Sequence, residues 1–357
     1  MLDRRTALTS GLYSLAAASL PRLDDRASTD PVNHARTHQL AAGDTTLDPG
    51  TALARSGPQR QGGTGDLDRI HTATKTFADL DDQFGGGHAR TATAAYLTHC
   101  VAPLLRGTTG RNRPAMFTAA AELAYLLGWM AADDMRHGLA QTWYVQAVRL
   151  AQEADDPTMR STALRSLAVQ ALDLGHNSHG HALAEAAADG LRRHCPLRKR
   201  AWITGMRAEA LAATGYQRAG AHRLLAAAET DLERADSLPE ADWTGDYRRP
   251  SYEHQIGLTL TQLGDHKGAE NHYAASLSRR HPIERRTKAL ITTRLALAQI
   301  HQRRPEDAAQ TVLALAPDLP VLRSARLHQQ LTKIRRAWAH AHTAPHVREA
   351  DQIIAAF

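Results

Sequence analysis

The sequence predicts an all-α protein, an α-solenoid of antiparallel helix pairs that repeat about every 40 residues. Hydrophobic residues make up 43% of the chain but aromatic residues only 5%, and much of the remainder is alanine, which favours helices and lets them approach closely. No series of alternating β-branched runs indicates a sheet. A helix, turn, helix pattern recurs along most of the 357 residues, which indicates an extended array.

The chain divides into three parts. Residues 1–20, MLDRRTALTSGLYSLAAASL, place Arg4 and Arg5 ahead of an uncharged stretch, which fits a twin-arginine export signal or a linker remnant. The linker remnant is favoured because polar residues interrupt the apolar stretch. Residues 21–65 hold four prolines, six glycines and no aromatic residue, so we expect a flexible linker there. Residues 66–357 are expected to form the helical repeat domain.

Two helices open this domain. The first, DLDRIHTATKTFADLDDQF, has apolar residues at helical spacing and stops at the glycine run 85–87, which we interpret as a helix end and turn. The second is HARTATAAYLTHCVAPLL. The glycine run lacks the lysine and the serine or threonine of a phosphate-binding loop, so it does not indicate a nucleotide site.

The helix pairs that follow share small residues at fixed offsets. Gly128 is followed by Ala140, Tyr144 and Ala147 at offsets of 12, 16 and 19, and Gly257 is followed by the same kinds of residue at the same offsets. With weaker copies included, the small residues of the first helices are Gly128, Ala168, Ala208, Gly257 and Ala296, close to 40 residues apart with one longer step. Small residues let the two helices pack closely while the side chain between them fills the groove to the next pair.

These offsets are those of the tetratricopeptide repeat, although its 34-residue period is stretched here. The segments FADLDDQFGGGHARTATAAYLTHCVAPLL and AELAYLLGWMAADDMRHGLAQTWYVQAVRLAQEADD resemble the C-terminal tetratricopeptide-like region of actinobacterial regulators of the XRE helix-turn-helix type. The resemblance runs from about Gln59 to Cys195, and more loosely to the end. It implies regulation and not catalysis. The sequence does not contain the DNA-binding domain of that class, so we expect a sensor half or a fragment of a longer reading frame.

The concave face of the stacked pairs is the expected binding site, lined by the first helix of each pair. We expect positions three before, one after and five after each small residue to point into it. The residues selected in this way, together with Trp202, are Tyr125, Trp129, Asp133, Arg165, Asp173, Trp202, Glu209, His254 and Gln262. Aromatic, acidic and basic groups on one face suit an extended peptide or a partner's helix. For the two tryptophans, ordinary packing is an equal alternative.

Catalysis and cofactor binding are not indicated. The sequence has no G-x-S-x-G, no cysteine in an activating motif and no dinucleotide fingerprint, so we expect a protein that is not an enzyme. The adjacent carboxylates at 81–82 and 133–134 point about 100° apart on a helix, so they are expected to face solvent or line the groove. His176, His179 and His181, with His194 further on, do not have the spacing of a zinc site, and we expect no metal.

Charge and cysteine content bear on the partners. The net charge of +6 is dispersed, and the basic run 191–200 has no interleaved aromatic residues, so we expect nucleic-acid contact only indirectly or through a separate DNA-binding partner. Two cysteines without a C-x-x-C favour a reducing cytoplasm. Beyond residue 20 no apolar run approaches a membrane span. The expected function is a cytoplasmic regulatory or scaffold protein, related to transcription, that binds a peptide or protein. The alternative is a twin-arginine-exported interaction module, and a homodimer stays an option.

Overall fold

The computed structural model describes residues 62–191, 195–215, 217–235, 247–341 and 344–357, all within one compact unit, Pro49–Phe357. The signal-like segment and nearly all of the expected linker lie outside the described residues. Within the described ranges every regular element is a helix. The α-helices are α1 Thr64–Phe84, α2 Gly86–Tyr96, α3 Ala102–Gly107, α4 Arg113–Asp133, α5 His137–Glu153, α6 Pro157–Asp173, α7 Asn177–Asp189, α8 Leu197–Ala213, α9 Arg218–Arg234, α10 Arg249–Gln262, α11 His266–Ser278, α12 Arg285–His301, α13 Pro305–Leu313, α14 Ala325–Ala337 and α15 Pro345–Ala356. A π-helical turn, Leu97–Val101, joins α2 to α3.

Five antiparallel pairs form the body of the array, namely α4 with α5, α6 with α7, α8 with α9, α10 with α11 and α12 with α13. Neighbouring pairs stack through contacts such as those of α5 with α6 and α11 with α12. The predicted fold class, an all-α solenoid of helix pairs, is therefore confirmed. Each of the five small residues selected from the sequence lies in the first helix of a different pair.

The offset of 16 corresponds to a direct contact between the two helices of a pair. A Cβ atom on Gly128 would lie 2.5 Å from Cδ1 of Tyr144, and a Cβ atom on Gly257 would lie 2.5 Å from Cε1 of Tyr273. Both tyrosines are almost fully buried. A side chain at either glycine would therefore push the helices of its pair apart, which explains why the best two copies carry glycine and not alanine.

The turn inside each pair repeats as well. The seventh residue after each small residue has a positive φ, and these residues are Met135, Gly175, Gly215, Gly264 and Arg303, with φ of 58°, 81°, 84°, 77° and 63°. A left-handed residue after the last helical turn lets backbone N–H groups return to the free carbonyls of the helix end. Glycine adopts this conformation without strain, whereas other residues rarely do. The shared position supports the weaker copies at Ala168 and Ala208.

The two ends of the helical unit also touch each other. The Arg323 N–H donates to Phe84 O (2.5 Å), and Gly87 N–H donates to Arg323 O (3.1 Å). Gly85, with φ of 94°, leaves no room for a side chain, since a Cβ there would lie 2.6 Å from Arg323 O. As predicted, the first helix ends at the glycine run: Gly85 forms the turn, and Gly86 and Gly87 begin α2. The loop before α14 packs against this corner.

One helix differs from the expectation about apolar runs. Gly110–Asp133, which contains α4, is long and apolar enough by composition to cross a membrane. However, 67% of its apolar window is buried within the fold, and α4 packs against α5, α2, α1 and α6. It serves here as the central core helix of the described unit.

Candidate functional site on the concave face

The predicted groove residues lie on the first helices α4, α6, α8 and α10. Trp129, Trp202 and His254 are half-buried, while Asp173 and Gln262 are exposed at the C-terminal ends of α6 and α10. The structure adds arginines from α12 and α14, which contact the predicted residues from the other end of the array. The face is therefore a network of ion pairs and stacked rings built from six helices.

The α4 part of the face is mostly internal. Tyr125 is 5% exposed and its ring centroid lies 6.0 Å from that of Tyr144. Asp133 is 1% exposed, and its carboxylate accepts hydrogen bonds from Gly86 N–H and Ser324 Oγ, both at 2.9 Å. Asp133 was predicted to line the groove, but its oxygens hold the α1–α2 corner and the start of α14 to α4. We therefore assign it a structural role and leave it out of the binding surface.

The arginine that completes this junction is Arg286 at the start of α12. Its guanidinium is 3% exposed and ion-pairs with Asp81 and Asp82, each at 2.8 Å, and its Nη1 lies 3.9 Å from Asp133 Oδ1. The guanidinium carbon lies 5.6 Å from the ring centroid of Trp129. The expectation that adjacent carboxylates would not converge is wrong for Asp81 and Asp82, because one oxygen of each lies 2.8 Å from the same atom, Nη2 of Arg286.

Three carboxylates around one guanidinium leave the junction with excess negative charge. Burial raises the pKa of Asp81 to about 7; Arg286 opposes this rise, and the neighbouring Asp133 and Asp82 add to it. Arg286 itself stays charged, since the same carboxylates outweigh its burial and raise its pKa. Near neutral pH the Asp81 carboxyl group is therefore protonated in a substantial share of the molecules.

Three further predicted residues have partners of their own. Asp173 ion-pairs with Arg326 of α14 at 2.5 Å. Glu209 accepts a hydrogen bond from Gln255 Nε2 at 2.7 Å. His254 Nε2 lies 2.5 Å from Nη1 of Arg294 on α12. Burial, followed by the nearby arginines, lowers the pKa of His254 well below its usual value, so a neutral imidazole accepts from the guanidinium.

Arg165 and Trp202 form the centre of the face. The guanidinium carbon of Arg165 lies 4.0 Å from the ring centroid of Trp202, and Lys199 Nζ lies 5.3 Å from the same ring. Arg165 is 8% exposed, and its Nε has no hydrogen-bond partner. No carboxylate of the described residues lies within ion-pair distance of it. Burial lowers the pKa of Arg165, with nearby tyrosines and Glu209 acting in the opposite direction.

Sequence reasoning missed Arg286, Arg294, Arg326 and Tyr247. Arg326 lies on α14, beyond the last pair that the repeat pattern identifies, and Arg286 lies at the first turn of α12, far from the small residue Ala296. Arg294 is two residues before Ala296, next to the position that the groove rule selects. A broader rule that included both neighbours of that position would have found it.

Other sequence features do not come together into a site. His176 and His179 lie 6.4 Å apart by ring centroid, and His194 is outside the described residues. Across the described ranges, no group of three His, Cys, Asp or Glu side chains is placed to hold a metal ion. Arg198 and Lys199 of the basic run are buried, so that part of the run does not present a charged surface.

Two cavities lie away from the concave face. One, of about 290 Å³, is on the outer side of α3, α4 and α5, and its apolar lining includes Leu105, Phe117 and Leu150. The other, of about 530 Å³, is polar and lies at the junction of the ends, beside Asp134 and His328.

Comparison with known proteins does not identify a family or class for this chain. No protein-family model matches the chain, and neither a curated protein nor a solved structure matches it.

Proposed function

We propose that this protein is a cytoplasmic, non-enzymatic regulatory or scaffold protein, related to transcription, whose concave face binds an extended peptide or a helix of a partner protein. The observation that carries the proposal is the face itself, where half-buried Trp129 and Trp202 lie among buried arginines. Tryptophan and arginine are the residues that most often dominate binding energy at interfaces. Nucleic acid would be reached only through a separate DNA-binding partner.

The geometry refines which residues contact the ligand. Asp133 and Tyr125 are buried by the protein's own groups, so they support the face from beneath. Trp129, Trp202 and His254 keep accessible surface on three of the first helices, α4, α8 and α10. A ligand that crosses several pairs would be an extended chain or a helix, because either can meet side chains on several helices.

A defined synthetic library tests the proposal. Immobilised random hexapeptides are incubated with the full chain, bound sequences are selected, and the affinity of the best ones is measured by fluorescence anisotropy. We expect Trp129→Ala and Trp202→Ala each to weaken binding by more than about tenfold, as for interface hot spots. Circular dichroism verifies that the variants remain folded.

Phe117→Ala is the matched control. Phe117 is a half-buried aromatic residue on the same helix as Trp129, but it lines the outer cavity. Its loss is expected to leave binding unchanged. If Phe117→Ala abolishes binding while the tryptophan variants bind normally, the ligand lies on the outer face and the proposed site is wrong.

A further inference from the structure

The charges at the centre of the concave face do not balance. Asp173 is held by Arg326 at 2.5 Å, and Glu209 is held by the neutral amide of Gln255. Arg294 contacts the neutral ring of His254. In the part of the chain that the structure describes, neither Arg165 nor Arg294 has a carboxylate within ion-pair distance. These two desolvated guanidinium groups depend on the longer-range attraction of Glu209, which acts on both, and an anion in direct contact would compensate them further.

A second buried donor without a hydrogen-bond partner belongs to Tyr247. The Tyr247 hydroxyl is buried without a hydrogen-bond partner, and the residue is only 4% exposed. It is within electrostatic reach of Arg165, which opposes the effect of burial on the pKa of Tyr247. Buried hydroxyl groups are nearly always paired in folded proteins. A buried hydroxyl and a buried guanidinium Nε, both without a hydrogen-bond partner and within electrostatic reach of each other, favour a place for an acceptor atom.

Gly205 leaves the space that this arrangement needs. It is three residues before the small residue of α8, the position that Arg165 has in α6 and His254 has in α10. A Cβ atom there would lie 3.0 Å from Tyr247 Oη and 2.8 Å from Gln255 Cγ. With no side chain at this position, Tyr247 and Gln255 lie close to the backbone of α8, between the rows that carry Arg165 and His254.

Arg165 lies over the ring of Trp202, with its guanidinium carbon 4.0 Å from the ring centroid. A guanidinium that lies flat on an aromatic ring directs its N–H groups outward in the plane of the fork, the geometry that meets two oxygens of one oxyanion. Guanidinium groups only donate hydrogen bonds and cannot coordinate a metal cation. The chemistry of the site therefore selects a negatively charged group with several acceptor oxygens.

We infer that Arg165 and Tyr247, which both lie against α8 at Trp202 and Gly205, form an oxyanion subsite at the centre of the concave face, and that a carboxylate of the bound peptide occupies it. The inference deepens the proposed function and depends on it only for the source of the carboxylate. The peptide would place its C-terminal carboxylate against the guanidinium, with an adjacent side chain against Trp202.

The experiment compares two hexapeptide pools, one with free C-terminal carboxylates and one with C-terminal amides, with inorganic phosphate at constant ionic strength as a third probe. Binding of the pools is measured by anisotropy, and the phosphate effect is measured as a shift of the thermal midpoint. We expect the wild type to bind the free-acid pool about 10 to 100 times more tightly than the amide pool, as for charged hydrogen bonds.

Arg165→Met is the main variant, and Tyr247→Phe removes only the hydroxyl. Arg165→Met is expected to lose the preference for the free acid and to unfold, without ligand, at a temperature no lower than the wild type, since it removes an uncompensated charge. A structural arginine would instead lower the midpoint. Arg149→Met, the same change at an exposed site on α5, should alter neither property.

The outcomes separate the inference from the proposed function. If the wild type binds both pools equally and Arg165→Met binds like the wild type, the subsite is refuted while peptide binding stands. If neither pool binds but phosphate raises the midpoint only when Arg165 is present, the oxyanion subsite stands, its occupant is a free anion, and the peptide function fails. If no probe binds, both are refuted.

Discussion

Replacement of Arg286 by glutamine tests whether the two ends of the array are held together by charge. Arg286 is the only cation among the described residues that ion-pairs with both Asp81 and Asp82. Its Nε also donates to the Asp81 carbonyl at 3.1 Å. In Arg286→Gln the side chains of Asp81 and Asp133 stay buried, at 3% and 2% exposure, without the arginine that lies within ion-pair distance of both.

The magnitude follows from that burial. Removal of one partner from a buried ion pair costs about 3 to 5 kcal/mol, since the charge left behind is uncompensated. For a unit of this size each kcal/mol lowers the thermal midpoint by about 2 to 4 °C, so the expected fall is about 6 to 20 °C. The loss should be largest above pH 7, where Asp81 would have to carry its charge, and smaller near pH 5, where a proton neutralises it.

Thermal unfolding followed by circular dichroism at pH 5 and pH 8 measures both effects. Arg304→Gln is the control, because Arg304 also pairs with two carboxylates, Asp307 and Glu270, but is exposed. Exposed pairs contribute about 0 to 1 kcal/mol. If Arg286→Gln lowers the midpoint at pH 8 by no more than Arg304→Gln does, the charge cluster does not stabilise the junction and the reasoning is refuted.

Two further predictions concern the junction and the repeat. Folded Asp81 has a pKa of about 7 and unfolded Asp81 one near 3.8. Between these pH values the folded state binds more protons than the unfolded state, so the free energy of unfolding falls as pH rises, by at most about 1.4 kcal/mol per pH unit. In urea titrations from pH 4 to 8, Asp81→Asn should reduce the dependence of the free energy of unfolding on pH, and the variant should be more stable than the wild type at pH 8. An unchanged pH dependence would contradict the shifted pKa. Gly128→Ala should lower stability by about 1 to 2 kcal/mol, because overpacking against Tyr144 outweighs the helix propensity of alanine. Gly138→Ala, with open space around it, should be neutral or stabilising, and equal midpoints for the two alanine variants would disprove the contact.

The helix pairs could be predicted because each depends on contacts between nearby residues. The offset of 16 from Gly128 to Tyr144 and from Gly257 to Tyr273 is a physical contact in both pairs. The left-handed position seven residues after each small residue is less evident from the sequence, although glycine occupies it in three of the five pairs. Met135 and Arg303 hide the pattern, because neither residue type signals a left-handed conformation.

The candidate site was only partly predictable for a related reason. Position relative to the small residue selected Tyr125, Arg165 and His254 as members of one face, and that assignment stays a prediction. It could not show that Tyr125 is buried against Tyr144, since burial depends on the neighbouring pair. Nor could it show that Arg165 lacks a counter-ion, because that depends on where every carboxylate of the face is engaged.

Closure of the array is the feature furthest from any sequence signal. The hydrogen bond from Arg286 to Asp81 joins residues 205 positions apart, whereas the one from Arg113 to Glu153 inside the α4–α5 pair joins residues 40 positions apart. Each repeat determines its packing on the next, and small rotations accumulate from pair to pair until α12 and α14 reach α1 and α4. The sequence of a single repeat does not determine the accumulated rotation. Which residues meet at the junction therefore depends on the geometry of the whole array. Arg326 is attracted by both Asp173 and Asp133, and it so connects the junction to the concave face. A change that separates the ends would consequently also alter the charges around Arg294 and His254. We therefore expect the stability of the junction to be coupled to the proposed binding on the face.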